Sequence, residues 1–103
     1  MNTVQLIGNV TKAPYFIAGN DSKKAIAFIT VANNDNKEKT IFVEVTVYGK
    51  TAEYVKQYIS TGARIAIEGK TDTRPNKTKN GDTYQELYIS CHRLTNLSQK
   101  VEG

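Results

Sequence analysis

Phosphate binding is the first chemistry the residues suggest, because Gly49, Lys50 and Thr51 in the run YGKTAEYV imitate the end of a P-loop. A P-loop also needs a glycine five residues before its Gly-Lys pair, so that successive backbone amides can surround the phosphates. Position 44 is glutamate, and nucleotide hydrolysis is not expected. Hydrolysis by carboxylates is the second option. Glu44, Glu68, Asp72, Asp82 and Glu86 could face one another across neighbouring strands, and such a set can hold the metal of a nuclease. None of them has local sequence that would shift its pKa or order a metal. The chain has one cysteine, Cys91, and one histidine, His92. That pair supports neither a disulfide framework nor a Cys/His metal centre within a single chain, and no cofactor is expected. They read as a buried thiol and a surface imidazole.

Stacking on aromatic rings has better support. Phe42, Tyr48, Tyr84 and Tyr88 fall on the outward parity of their strands, which gathers several flat faces on one side of a sheet. Nucleobases stack on such faces for roughly 1 to 3 kcal/mol each, whatever the base. The window Lys70–Lys79 carries Lys70, Arg74, Lys77 and Lys79 against Asp72 alone, a net +3. With Lys37, Lys39 and Lys50 these cations are the candidate phosphate contacts, since long flexible cations follow a phosphate backbone without reading sequence. The competing reading of Phe42 and Tyr48 is a cross-strand aromatic pair or a subunit interface. Tyr54 and Tyr58, one helical turn apart, are expected to pack a helix on the core, and Tyr15 and Phe16 follow Pro14 in a bend as core or edge residues.

These side chains need five strands and one helix to position them. The first strand spans 3–9, with Gly8 as a bulge or bend, and a polar turn spans 19–24. The second strand, AIAFITVA over 25–32, is apolar on both faces, and the turn NNDNKEK follows. In the third, Ile41, Val43, Val45 and Val47 point inward while Phe42, Glu44, Thr46 and Tyr48 point outward. From Thr51 the period changes: Ala52, Val55 and Ile59 form the apolar stripe of a short helix that Gly62 should stop. The fourth strand runs from Ala63 to about Arg74, and Asn80-Gly81 marks a hairpin. In the fifth, 83–94, Leu87, Ile89 and Cys91 are expected inward, with Tyr84, Glu86, Tyr88 and Ser90 outward. Three strands, a helix and two strands in this length predict an all-β, five-stranded Greek-key barrel of the OB type, its helix between strands three and four. An SH3-like barrel, which lacks such a helix, ranks second.

Bulk properties agree with one such domain. A chain of 103 residues can bury a conventional core without metals or disulfides. Its 14 Lys and Arg exceed its 10 Asp and Glu, a moderate basic excess that suits an anionic partner. The start MNTVQLIGNVTK has neither a basic lead nor a signal-length apolar run, and no segment approaches the ~20 apolar residues of a membrane helix. A cytoplasmic protein without a membrane partner is the expectation.

The ordered set Asn2-x-Val4-x-Leu6-Ile7-Gly8-Asn9 with Pro14, Val45-x-Val47-Tyr48-Gly49-Lys50-x-Ala52-Glu53, Gly62-x-x-Ile65-x-Ile67-Glu68-Gly69-Lys70, and Thr73-Arg74 with Gly81 resembles bacterial-type single-stranded DNA-binding proteins. The match runs in register from Asn2 to about Leu97. It implies an OB fold over residues 1–98, followed by a short end at 99–103. It also implies non-catalytic coating of single-stranded DNA in replication, recombination or repair. The implied assembly is a homo-oligomer, a tetramer ahead of a dimer, with replication proteins as further partners. Three departures stand out. Asn36 and Asn76 occupy hairpin positions where the family often has aromatics, and Glu44 lies between two stacking candidates. Family members also continue into an acidic-tipped tail, so the expectation is a tail-less variant of phage or mobile-element type, or a chain whose tail has been removed. An OB interaction module of a primosome or mobile-element replication system is the alternative.

Overall fold

The computed structural model describes residues 1–98; the short end expected at 99–103 lies outside the described residues. Six strands and one helix are present: β1 (Val4–Val10), β2 (Tyr15–Ile17), β3 (Ile26–Asn36), β4 (Lys39–Tyr48), α1 (Gly49–Tyr58), β5 (Arg64–Lys77) and β6 (Thr83–Asn96). Strands pair in the order β1-β5-β6-β4-β3, and β1 closes the ring on β3 through Asn9↔Ala32 and Val10↔Val31. The β4–β6 pairing is parallel and the others are antiparallel. This is the OB barrel expected from the element order.

Closure demands a close backbone approach at Gly8. A Cβ there would meet the carbonyl oxygen of Ala32 and the side chain of Val31, so only glycine fits without displacing β3. Inside the ring, alternate residues of every long strand converge. Ala27, Ile29 and Val31 of β3, Val45 and Val47 of β4, Ile65 and Ile67 of β5, and Ile89 and Cys91 of β6 form one cluster. The helix α1 closes one end of the barrel with Ala52 and Val55, both wholly buried, and Ile59 follows them into the core.

Several elements differ from expectation for physical reasons. The helix begins two residues early, at Gly49, and ends at Tyr58, with Ile59 already extended (φ −106°, ψ 123°). Gly62 is not its stop; at φ 90° it serves the turn in which the Ala63 amide donates to the Ser60 carbonyl. Polar NNDN continues as strand to Asn36, because antiparallel pairing with β4 satisfies its backbone despite a register shift between Asn33 and Asn36. Likewise β5 continues past Arg74 through Pro75 to Lys77, paired with β6 throughout. That arm projects beyond the barrel and has no facing sheet. Leu87, expected inward, is therefore 65% exposed. The three-residue strand β2, expected only as a bend, pairs with β3 through Tyr15↔Phe28 and Ile17↔Ile26. Tyr54 and Tyr58 do not pack on the core; both are exposed on α1 and lie against each other with ring centroids 4.9 Å apart.

Candidate nucleic-acid interface

Strand register determines which side chains share the barrel's outer face. Because β4 lies between β3 and β6, its outward residues face Ile26 (from Tyr48), Phe28 (from Thr46), Thr30 (from Glu44) and Ala32 (from Phe42) across β3. Across β6, Thr46 faces Ser90. Beyond Ser90 the same face continues through Tyr88, Glu86 and Tyr84, which oppose Asp72, Arg74 and Asn76 of β5. Period-two alternation thus collects residues from four strands on one surface.

Arg74 organises its centre. Its Nε donates to Glu86 Oε1 at 2.8 Å and its Nη1 to Thr46 Oγ1 at 3.1 Å. The guanidinium carbon lies 4.3 Å from the Tyr88 ring centre and 5.3 Å from that of Phe28. Phe28 in turn stacks on Tyr15, centroids 6.0 Å apart and planes 26° from parallel. A planar cation lies over two rings while its edge is hydrogen-bonded, the arrangement for which arginine suits better than lysine. The cover explains why Thr46, expected to be wet, is buried. It also accounts for two shifted acids. Hydrogen bonds from Arg74 and then Asn76 hold the Glu86 carboxyl below the usual glutamate range, and burial, with the neighbouring Tyr48 hydroxyl adding to it, pushes the Tyr88 phenol up.

The expected stacking residues separate into two groups. Phe42 is 65% exposed, and Tyr84 and Tyr48 are also open, on the β5–β6 arm and at the end of β4. Tyr88 is on the same face but only 9% exposed, beneath Arg74. Among the cations, Lys37 and Lys39 stand at the tip of the β3–β4 hairpin, and Lys77 and Lys79 at the tip of the β5–β6 arm, all exposed. Lys70 is exposed on β5, and Lys50, in the first turn of α1, lines a cavity of about 720 Å³ with Tyr48, Lys23 and Lys24. Arg74 differs from these in having its charge already met by Glu86.

The carboxylates do not converge. Glu86 belongs to Arg74, Glu44 accepts a hydrogen bond from Thr30 Oγ1 at 3.0 Å, and Glu68 accepts one from Gln5, its register partner on β1. Among the described residues no group of three or more His, Cys, Asp or Glu side chains is placed to hold a metal ion. Sequence reasoning missed Tyr15 and Phe28. Parity was the available signal, since Phe28 falls with Thr30 on the face of AIAFITVA opposite to buried Ala27, Ile29 and Val31.

Comparison with known proteins decides the family. The profile described as Single-strand binding protein family matches residues 1–97. The chain belongs to that family. Single-strand binding relatives include a "Single-stranded DNA-binding protein" of Clostridium perfringens, 35% identical over 83 residues, covering 79% of this chain and 55% of the relative. One of Malacoplasma penetrans is 29% identical over 101 residues, covering 97% and 53%. "Single-stranded DNA-binding protein 1" of Clostridium acetobutylicum is 31% identical over 109 residues and matches nearly end to end, 100% and 99%. Against the first two, the chain spans just over half of the relative's length. Proteins of the single-strand binding family are non-catalytic binding proteins.

Proposed function

We propose that the chain binds single-stranded DNA along the outer face of β3, β4 and β6, without catalysis and largely without sequence preference. One observation carries the reading: open aromatic rings and an arginine in contact with two rings share a face whose two hairpins end in lysines. Rings supply stacking that every base satisfies, and lysines supply phosphate neutralisation. Phe42, Tyr48 and Tyr84 stack bases directly. Tyr88 acts beneath Arg74, which supports the face and reaches phosphate only by sharing its guanidinium with Glu86. Lys37, Lys39, Lys50, Lys70, Lys77 and Lys79 hold the backbone. Glu44 stays on this face, with Thr30 Oγ1 and not a lysine as the donor to one of its oxygens.

In the cell this activity serves replication, recombination or repair in a bacterial cytoplasm. Residues 1–98 are the binding unit, working as a homo-oligomer, tetramer ahead of dimer, with replication proteins as further partners. The face is tested by titrating oligo-dT of increasing length at two salt concentrations while following tyrosine emission, for which the chain's six tyrosines and absent tryptophan give a clean signal. Quenching with an affinity that falls steeply with salt is expected. Binding with unchanged emission would remove the stacking mechanism, and no binding at low salt would remove the function. Light scattering on the same samples gives the assembly.

A further inference from the structure

The rings Tyr88, Phe28 and Tyr15 and the guanidinium of Arg74 form a continuous column. Tyr88 to Arg74 is 4.3 Å, Arg74 to Phe28 5.3 Å, and Phe28 to Tyr15 6.0 Å. Its inner end is closed, because Tyr88 is only 9% exposed. Its outer end is open, because Tyr15 is 66% exposed on a strand that pairs with β3 alone. A tyrosine that is 66% exposed leaves most of its surface in water, which costs free energy that a flat apolar partner would recover.

Resting on the DNA-binding reading above, we infer that Tyr15 is an additional stacking platform. It takes one nucleobase of the bound strand and extends the path from β4 across β3 to the β2 edge. Continuity singles out a base as the occupant. Ile17 and Tyr15 on β2 register with Ile26 and Phe28 on β3, and these with Tyr48 and Thr46 on β4, so Tyr15 belongs to the same surface as Tyr48 without a break. The Tyr15 position is pre-ordered: Pro14 restricts the backbone before it, Phe28 orients its ring, and Arg74 and Tyr88 hold Phe28. Little ordering cost is left for the base to meet. The interaction uses the ring and not the hydroxyl, so phenylalanine serves equally.

The test compares Tyr15→Leu and Tyr15→Phe with wild type. Oligo-dT affinity is measured across a length series at several salt concentrations, and 5-iodouracil oligonucleotides are photo-crosslinked with mapping of the modified peptide. The leucine variant, exposed and apolar, is expected to lose about 5- to 100-fold on long oligonucleotides and little on the shortest, with an unchanged salt slope. The phenylalanine variant should bind as wild type does, and the crosslink should map to Tyr15. Wild-type binding with an undiminished leucine variant and no crosslink at Tyr15 overturns the platform and leaves the function standing. A leucine variant whose oligomeric state changes while its affinity does not would also overturn it, assigning the ring to a subunit contact. Absence of wild-type binding removes the function and the platform together.

Discussion

Arg74 and Glu86 are joined across the β5–β6 pair by a 2.8 Å hydrogen-bonded ion pair, in direct register, on the face where the aromatic rings gather. Glu86 also accepts from Asn76 Nδ2 at 2.9 Å, so both its oxygens are engaged. The side chains are 31% and 24% exposed, which places the pair between a solvated surface bridge and a desolvated one. Its role is geometric as much as energetic, for it fixes the plane of a guanidinium that two rings then cover. The same bond competes with any phosphate for Arg74.

That competition predicts opposite effects of Glu86→Gln on stability and on binding. Loss of the charge-assisted bond should cost about 1 kcal/mol in urea unfolding, within the range for partly exposed charged hydrogen bonds. Oligo-dT affinity at low salt should rise severalfold, because Arg74 then neutralises a phosphate, and the slope of log K against log salt should steepen by about 0.7. A variant that is less stable and binds no better would show that Arg74 never meets the backbone.

The ion pair also makes stability depend on acid. Glu86 has its pKa lowered in the folded protein, by Arg74 first and Asn76 second. Between the folded and unfolded values the unfolded chain binds more protons, so stability rises with pH in that window. The contribution is complete above the ordinary glutamate value of about 4.3 and is lost as the pH falls through the folded one. Urea midpoints measured from pH 7 down to pH 3 should fall below about pH 4.5 more steeply in wild type than in Glu86→Gln. Parallel curves would show that other carboxylates carry the acid response.

The barrel was legible because its signals are local. Alternation in TIFVEVTV, the change of period at Thr51 and the Asn80-Gly81 pair each report on neighbours in sequence. Element ends were less so, since NNDN and RPNK are poor strand formers that extend only because a partner strand pairs them. The site was half legible. Parity put Phe42, Tyr48, Tyr84 and Tyr88 on one face, but parity carries no information about what lies over a residue. Tyr88 is buried and Thr46 is covered because Arg74 reaches across from a strand 28 residues distant from Thr46 in sequence. Glu44 takes a hydrogen bond from Thr30, its register partner on β3, and not the lysine that would have met its charge.

Lys77 and Lys79 stand at the tip of an arm with no ion-pair partner among the described residues. Each is free to displace one counterion from a single strand. Replacing both with alanine should reduce the salt slope by about 1.4 and weaken binding uniformly across base compositions. Fold stability should stay within about 0.5 kcal/mol, as for other exposed substitutions. A preference for particular bases appearing or vanishing in this variant would mean that the arm reads sequence.

Phe42 and Tyr88 lie on the same face with opposite exposures, 65% and 9%, and therefore answer different questions when replaced by leucine. Phe42 supports nothing above it in the free protein. Phe42→Leu should leave the unfolding midpoint nearly unchanged and lower oligo-dT affinity about 5- to 100-fold, the loss of one stacked base. Tyr88 carries Arg74, so Tyr88→Leu removes a ring from beneath a guanidinium and loosens the column that reaches Phe28. Its first effect should be on stability, about 1 to 3 kcal/mol, and its effect on binding should follow from the displaced Arg74 and Phe28. If Tyr88→Leu folds as stably as wild type yet binds as poorly as Phe42→Leu, Tyr88 must emerge from under Arg74 to stack a base itself.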